Sequence, residues 1–329
     1  VSLFPPVVGH AHAQELLARS LASGAVHTCY LFWGPPGVGK RLLADAFLRA
    51  ALCAAGGAAP CGHCRSCTLY GGGAHPDLLV VTPVEDKKSI SVDQARDLGE
   101  WLSRTPALGT RKAVIVDPAD ALTDHAANAL LKTLEEPPKG SLIVLVAARA
   151  GALPPTILSR TQQIALGALS DDEVARVLGR NGWPGQAARQ AAALAEGSPG
   201  VALARDGRAW QESADAVRAV LERLEAGDRG AALEFAERVG EGREKAVAAL
   251  QAVIATARAA ARDRLGAAEG SPAAGPAPLS GLDTAGVCDL LEGALRTHRR
   301  LDDADRPPNV KLALATLLAR AVPAGAAQP

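Results

Sequence analysis

Thr28-Cys29-Tyr30-Leu31-Phe32-Trp33-Gly34-Pro35-Pro36-Gly37-Val38-Gly39-Lys40-Arg41 runs from a short apolar strand former into a glycine loop, and residues 41–48 then carry apolar side chains at helical spacing. Strand, glycine loop and helix in that order are the setting of a phosphate-binding loop, Gly-x4-Gly-Lys followed by Ser or Thr. Gly34, Gly37 and Gly39 allow backbone N–H groups to wrap a phosphate, the helix N-terminus favours negative charge, and Lys40 can reach terminal phosphates. Arg41 stands where the magnesium-binding hydroxyl belongs, and a guanidinium cannot ligate a cation. ATP or ADP could still be held at Gly34, Gly37, Gly39 and Lys40, but hydrolysis is not expected.

The second catalytic element of such a site is an acidic pair closing an apolar strand, and it falls at Val114-Ile115-Val116-Asp117. Asp117 could face a metal. Pro118 replaces the carboxylate that would activate the attacking water, and it has no side-chain acceptor.

Further strand-like runs follow at Leu78–Val81, Ala113–Val116, Ser141–Ala148 and 161–166, with helical stretches at 92–102 and 123–135 between them. That alternation predicts an α/β domain, a parallel sheet covered by helices, with strands buried on both faces. After residue 167 the strand signal ends. Helical stretches over 170–180 and 185–196 stop at Gly197-Ser198-Pro199-Gly200, and long Ala/Leu/Arg helical patterns run from 207 onward, broken by the Gly/Pro/Ala-rich Gly266–Gly281.

The chain has 329 residues, 48% hydrophobic and 21% charged, which excludes a disordered chain and suits two or three domains. Thirty-five Lys and Arg offset 35 Asp and Glu, so no global basic field draws in nucleic acid at long range. No apolar run is long enough to span a bilayer, and the first residues lack the basic-then-apolar signal pattern, so a soluble, cytoplasmic protein without membrane contact is expected.

Cys61-Gly62-His63-Cys64-Arg65-Ser66-Cys67 spaces three thiols by two residues, with Cys53 separated from the first by seven residues. Cys53, Cys61, Cys64 and Cys67 make a closed tetrahedral set for a structural zinc ion, leaving no open position for water. His63 is the alternative fourth ligand, but it falls between ligands where a tight turn points the side chain outward. Cys29 and Cys288 are expected in the core. The basic pairs Lys87-Lys88, Arg111-Lys112 and Arg299-Arg300 read as solvated faces.

Ala127-Asn128-Ala129-Leu130-Leu131-Lys132-Thr133-Leu134-Glu135-Glu136-Pro137-Pro138 closely resembles the signature of bacterial clamp-loader AAA+ subunits. Gly34–Lys40, the cysteine cluster, Ser159-Arg160-Thr161 and Gly197-Ser198-Pro199-Gly200 follow the same family order, so the resemblance covers most of residues 5–205. It implies an AAA+ domain over 1–166 carrying a zinc module at 53–67, a helical lid over 167–206 and an all-α collar over 207–329 for oligomerisation. The last third matches in size and helical character only.

Where the family carries a polar sensor after the fourth strand, this chain has Ala147-Ala148; where a second sensor Arg follows the Gly-Ser pair, it has Gly200. The chain is therefore similar to the family's non-hydrolysing member, not to the motor subunits gamma and tau. Ser159-Arg160-Thr161 resembles the motif whose arginine acts as a finger in a neighbour's ATP site, with Thr161 departing from the usual Cys. Val8-Gly9-His10 resembles the segment beside the adenine base.

The resemblance implies gamma/tau and delta subunits as partners in a hetero-pentamer of the DNA polymerase III holoenzyme. Through that complex it implies contact with a sliding clamp and primed DNA. An active gamma/tau-type ATPase and a zinc-dependent nucleic-acid adaptor are the alternatives, opposed by Arg41 and Pro118 and by the neutral charge respectively.

Overall fold

A computed structural model describes residue 4 and residues 7–84, 87–183, 185–204, 207–240, 243–264, 279–301 and 309–320. It divides into two compact units, Val1–Val177 with Glu196–Val201, and Leu178–Ala195 with Ala202–Pro329.

The first unit contains α1 (Ala11–Ser23), β1 (Cys29–Trp33), α2 (Lys40–Ala51), α3 (Arg65–Gly71), β2 (Leu78–Val81), α4 (Val92–Ser103), β3 (Lys112–Val116), α5 (Asp124–Glu135), β4 (Ser141–Ala147), α6 (Pro155–Leu158) and β5 (Gln162–Ala165). All five strands are parallel, in the order β2-β3-β4-β1-β5. β1 lies between β4 and β5, and the glycine loop leaves its C-terminal end at the point where the strand order reverses, the usual ligand position in an open α/β sheet.

Alternate side chains of the central strands feed two cores. Tyr30, Phe32, Ile115, Leu142 and Val144 pack on one face with Leu17, Leu43 and Phe47 of α1 and α2. Cys29, Leu31, Val114, Val116, Ile143 and Leu145 pack on the other with Leu98, Leu102 and Leu130 of α4 and α5. Strands buried on both faces are what the continuous apolar runs predict, and each fully buried large apolar side chain contributes about 1.5–3 kcal/mol. Helix starts follow local chemistry: Ser91 and Gln94 form a capping box for α4, and the Thr123 hydroxyl accepts from Ala126 N–H to cap α5.

α7 (Asp171–Arg180) and α9 (Pro199–Leu203) each run across the boundary between units. The second unit is helical in its described residues, with α8 (Gly185–Leu194), α10 (Gly207–Glu225), α11 (Gly230–Val239), α12 (Arg243–Arg264), α13 (Thr284–Leu301) and α14 (Val310–Ala319). Its core joins Val217, Leu221, Phe235, Leu250, Val253, Val287, Leu290 and Leu318. The Gly266–Gly281 break falls largely outside the described residues. None of the described helices is long and apolar enough to cross a membrane.

Two sequence expectations are corrected. Cys288 is exposed: the buried stripe of α13 runs through Val287, Leu290 and Ala294, and Cys288 sits one position, about 100°, round the helix from it. Lys112 is not a solvated cation but 5% exposed. As the first residue of a central strand it inherits that strand's burial, with Nζ donating to the Trp101 carbonyl at 2.8 Å and lying 3.9 Å from the Trp101 ring centre. Burial draws its pKa down.

Candidate functional site

The glycine loop is closed on itself. Lys40 Nζ donates to the carbonyls of Gly34 and Pro35, at 2.7 Å each, so its charge is satisfied within the loop. Burial lowers the Lys40 pKa, partly offset by Asp117 and Asp120. Gly200 N–H donates to the Gly37 carbonyl at 2.9 Å. Gly37 has a φ of +77°, and a Cβ at Gly200 would meet Gly37 Cα at 2.8 Å. Neither position admits a larger residue in this arrangement. His10, on the segment expected near the base, donates from Nε2 to the Val38 carbonyl at 2.9 Å.

Arg41, at the position of the motif's hydroxyl, bonds two acids. Its Nε donates to Asp45 Oδ2 at 2.9 Å and its Nη1 to Asp117 Oδ2 at 3.3 Å. Burial opposes the Arg41 charge, but Asp45 and Asp117 outweigh it and raise the pKa. Tyr70 Oη, from α3 just after the cysteines, donates to Asp45 Oδ1 at 3.2 Å. One polar chain thus runs from the cysteine module through Tyr70, Asp45 and Arg41 to Asp117. At the neighbouring strand end, Asp120 Oδ2 accepts from Ala148 N–H at 2.6 Å. Asp117 is thus engaged by Arg41 through Oδ2.

The Sγ atoms of Cys53, Cys61, Cys64 and Cys67 all lie within 4.8 Å of one another. The Cys53–Cys64 and Cys61–Cys67 separations are 3.9 and 4.0 Å, close to the ~3.8 Å edge of a tetrahedron built on Zn–S bonds of about 2.3 Å. Backbone N–H groups of Cys61, Cys64 and Cys67 point at Cys53, Cys61 and Cys64 sulfurs, each at 3.4 Å. Such donors favour thiolates, and the N–H of Cys67 draws the Cys64 thiol down to about 6. The set therefore fits a metal ion. His63 is exposed, its Nδ1 donating to the Cys61 carbonyl at 2.9 Å, and takes no place in the cluster.

The module is tied to the domain by a buried pair. Ser66 Oγ donates to the Leu52 carbonyl at 2.6 Å and accepts from His75 Nε2 at 2.8 Å, while His75 Nδ1 accepts from Asp77 N–H at 3.1 Å. These three bonds together need the neutral imidazole protonated on Nε2.

Arg160 lies between α6 and β5, its side chain 35% exposed. Nη1 donates to the Thr156 carbonyl at 2.9 Å and Nη2 to Glu135 Oε1 at 2.8 Å.

Asp45, Tyr70, His75 and Glu135 were not singled out by sequence reasoning. Asp45 carries a readable signal, since it stands four residues beyond Arg41 on one helix. The other three depend on tertiary placement.

Residues 9–170 match the protein family described as "DNA polymerase III, delta subunit". The DNA polymerase III subunit delta' of Pseudomonas aeruginosa is 41% identical over 207 residues, covering 60% of this chain and 62% of that protein. The Escherichia coli subunit delta' is 37% identical over 217 residues, 65% of each chain. The E. coli subunit tau is 38% identical over 172 residues, 52% of this chain and 26% of tau. The chain spans less than two thirds of the length of either delta' relative. A solved gamma subunit-related protein from Thermotoga maritima covers 94% of this chain and 98% of its own at 19% identity, with a TM-score of 0.44.

Proposed function

We propose that the chain, similar to the DNA polymerase III delta' subunits of P. aeruginosa and E. coli over about two thirds of its length, serves as the ATPase-inactive delta' subunit of a clamp loader. Its place is in the cytoplasm, in a hetero-pentamer with gamma/tau motor subunits and a delta subunit. Through that complex it helps load a sliding clamp onto primed DNA during replication. In this reading residues 1–166 are the AAA+ core, 167–206 the lid and 207–329 the collar. Leu233 and Leu312, 58% and 66% exposed on α11 and α14, offer apolar surface for neighbouring subunits.

The observation that carries the inactive reading is the Arg41–Asp117 pair. Phosphoryl transfer on a phosphate loop needs a divalent cation held by a hydroxyl and an acid, with a second acid or its equivalent orienting water. Here a guanidinium stands between the acids, Pro118 offers nothing to water, and Lys40 is engaged by loop carbonyls. Gly34, Gly37, Gly39 and Lys40 would hold ATP or ADP only after Lys40 releases those carbonyls and Gly200 withdraws from Gly37. Without a hydrolytic cycle of its own the subunit is a fixed reference against which motor subunits move.

Arg160 supplies the contribution to turnover. A planar, permanently charged donor reaching from the α6–β5 turn stabilises charge on a phosphoryl group in a neighbour's site. Cys53, Cys61, Cys64 and Cys67 hold zinc as a structural ion, which supplies cross-linking and no open coordination site.

Reconstitution tests the assignment. The chain alone should show no ATP turnover, and clamp loading by gamma/tau and delta should require its addition. Turnover by the isolated chain would make it a motor, and loading that proceeds equally without it would remove it from the complex.

A further inference from the structure

Glu135 is the last residue of α5, where the aligned peptide dipoles disfavour a negative charge. Its Oε1 accepts from Arg160 Nη2 at 2.8 Å, across 25 residues of sequence. On the opposite side of the same guanidinium, Nη1 donates to the Thr156 carbonyl at 2.9 Å and to the Ser159 hydroxyl at 3.3 Å. Both terminal nitrogens are therefore fixed, one by the arginine's own turn and one by a carboxylate from another helix. The pair is not withdrawn from solvent: the two side chains are 35% and 52% exposed.

An arginine that acts in trans must be oriented before its target arrives, because a long side chain otherwise loses much rotamer freedom on engagement. It must also be released, since the phosphate needs the same N–H groups. A solvent-exposed carboxylate meets both requirements: it narrows the orientations of the guanidinium but binds it weakly, and a multiply charged phosphate outcompetes it.

We propose that Glu135 is a positioning residue for Arg160, holding the guanidinium ready in the free subunit and yielding it to the neighbouring subunit's ATP in the assembled loader. This rests on the reading of Arg160 as a finger in trans. Glu136, adjacent and also exposed, provides a charge-matched control.

The test is the steady-state ATPase of the reconstituted loader, with kcat and KM for ATP resolved and assembly checked by gel filtration. The variants are Glu135→Ala, Glu135→Gln, Glu136→Ala, Arg160→Ala and the Glu135→Ala/Arg160→Ala double. Glu135→Ala is expected to lower kcat by about three- to ten-fold at unchanged KM and assembly, a coupling typical of contacting residues. Glu135→Gln should recover part of the loss and Glu136→Ala should match wild type. In the Arg160→Ala background Glu135→Ala should cost nothing further. An unchanged kcat for Glu135→Ala, or the same loss whether or not Arg160 is present, overturns the proposal. An unchanged rate for Arg160→Ala instead removes the finger itself, and with it any role for Glu135.

Discussion

Arg41 and Asp117, 76 positions apart in the chain, meet at 3.3 Å across the place where a phosphate-loop ATPase joins a hydroxyl and an acid through a cation. The same guanidinium holds Asp45 at 2.9 Å. Arg41 thus pairs with both acids, where an active phosphate loop would use a divalent ion.

Replacing that guanidinium by the hydroxyl of an active phosphate loop, Arg41→Thr, removes the cation that bonds both Asp117 and Asp45. Thermal melts with ADP should then become dependent on magnesium, where the wild-type chain should show only a weak dependence. Hydrolysis should stay absent, because Pro118 still offers no acceptor for the attacking water.

Gly200→Ala puts a methyl group 2.8 Å from Gly37 Cα, and backbone cannot move aside as a flexible side chain would. The start of α9 must lift from the glycine loop, losing the Gly200–Gly37 hydrogen bond. A cost of about 1–3 kcal/mol is expected, read as a lower urea midpoint for the transition that exposes the loop.

His75 makes fold stability depend on pH. Burial holds its pKa below the ordinary 6.5, opposed in part by Asp77, and its Nδ1 must stay unprotonated to accept from Asp77 N–H. The unfolded chain therefore binds the proton more readily. The contribution of the neutral ring is intact above pH about 6.5 and is lost progressively as pH falls toward and through the lower folded value. Melting temperatures of wild type and His75→Gln, measured from pH 7.5 to 5.5, should converge at the acid end.

Cys61→Ser, or treatment with a strong chelator, should remove zinc from the cysteine module, and metal analysis should find one zinc per wild-type chain. Loss of the ion frees α3, and with it the Tyr70 hydroxyl that braces Asp45. Protease cleavage should then appear first between residues 53 and 75. A wild-type chain free of zinc after purification under non-chelating conditions contradicts the structural role.

The sheet was legible because its strands are continuous apolar runs ending in turn residues, and the glycine loop and cysteine spacing are local patterns that need no tertiary knowledge. The same local reading failed at Lys112 and Cys288. A charged pair looks solvated until the strand it opens is known to be central, and an apolar helix face can be misassigned by one position. Sequence also identified what Arg41 lacks but not what it does: its bond to Asp117 closes over 76 residues, and Glu135 meets Arg160 only once α5 and α6 pack. The closure of Gly200 on Gly37 is invisible for the same reason, since a glycine after Gly-Ser reads as a missing arginine rather than as a contact.

The most direct measurement is ATP turnover by a loader reconstituted with gamma/tau, delta and either the wild-type chain or Arg160→Ala, with the isolated chain assayed alongside. The account predicts a silent isolated chain, and a complex that assembles normally with Arg160→Ala but hydrolyses ATP at least about ten-fold more slowly, as loss of an arginine finger does. Full turnover by the Arg160→Ala complex, or hydrolysis by the chain alone, would contradict it.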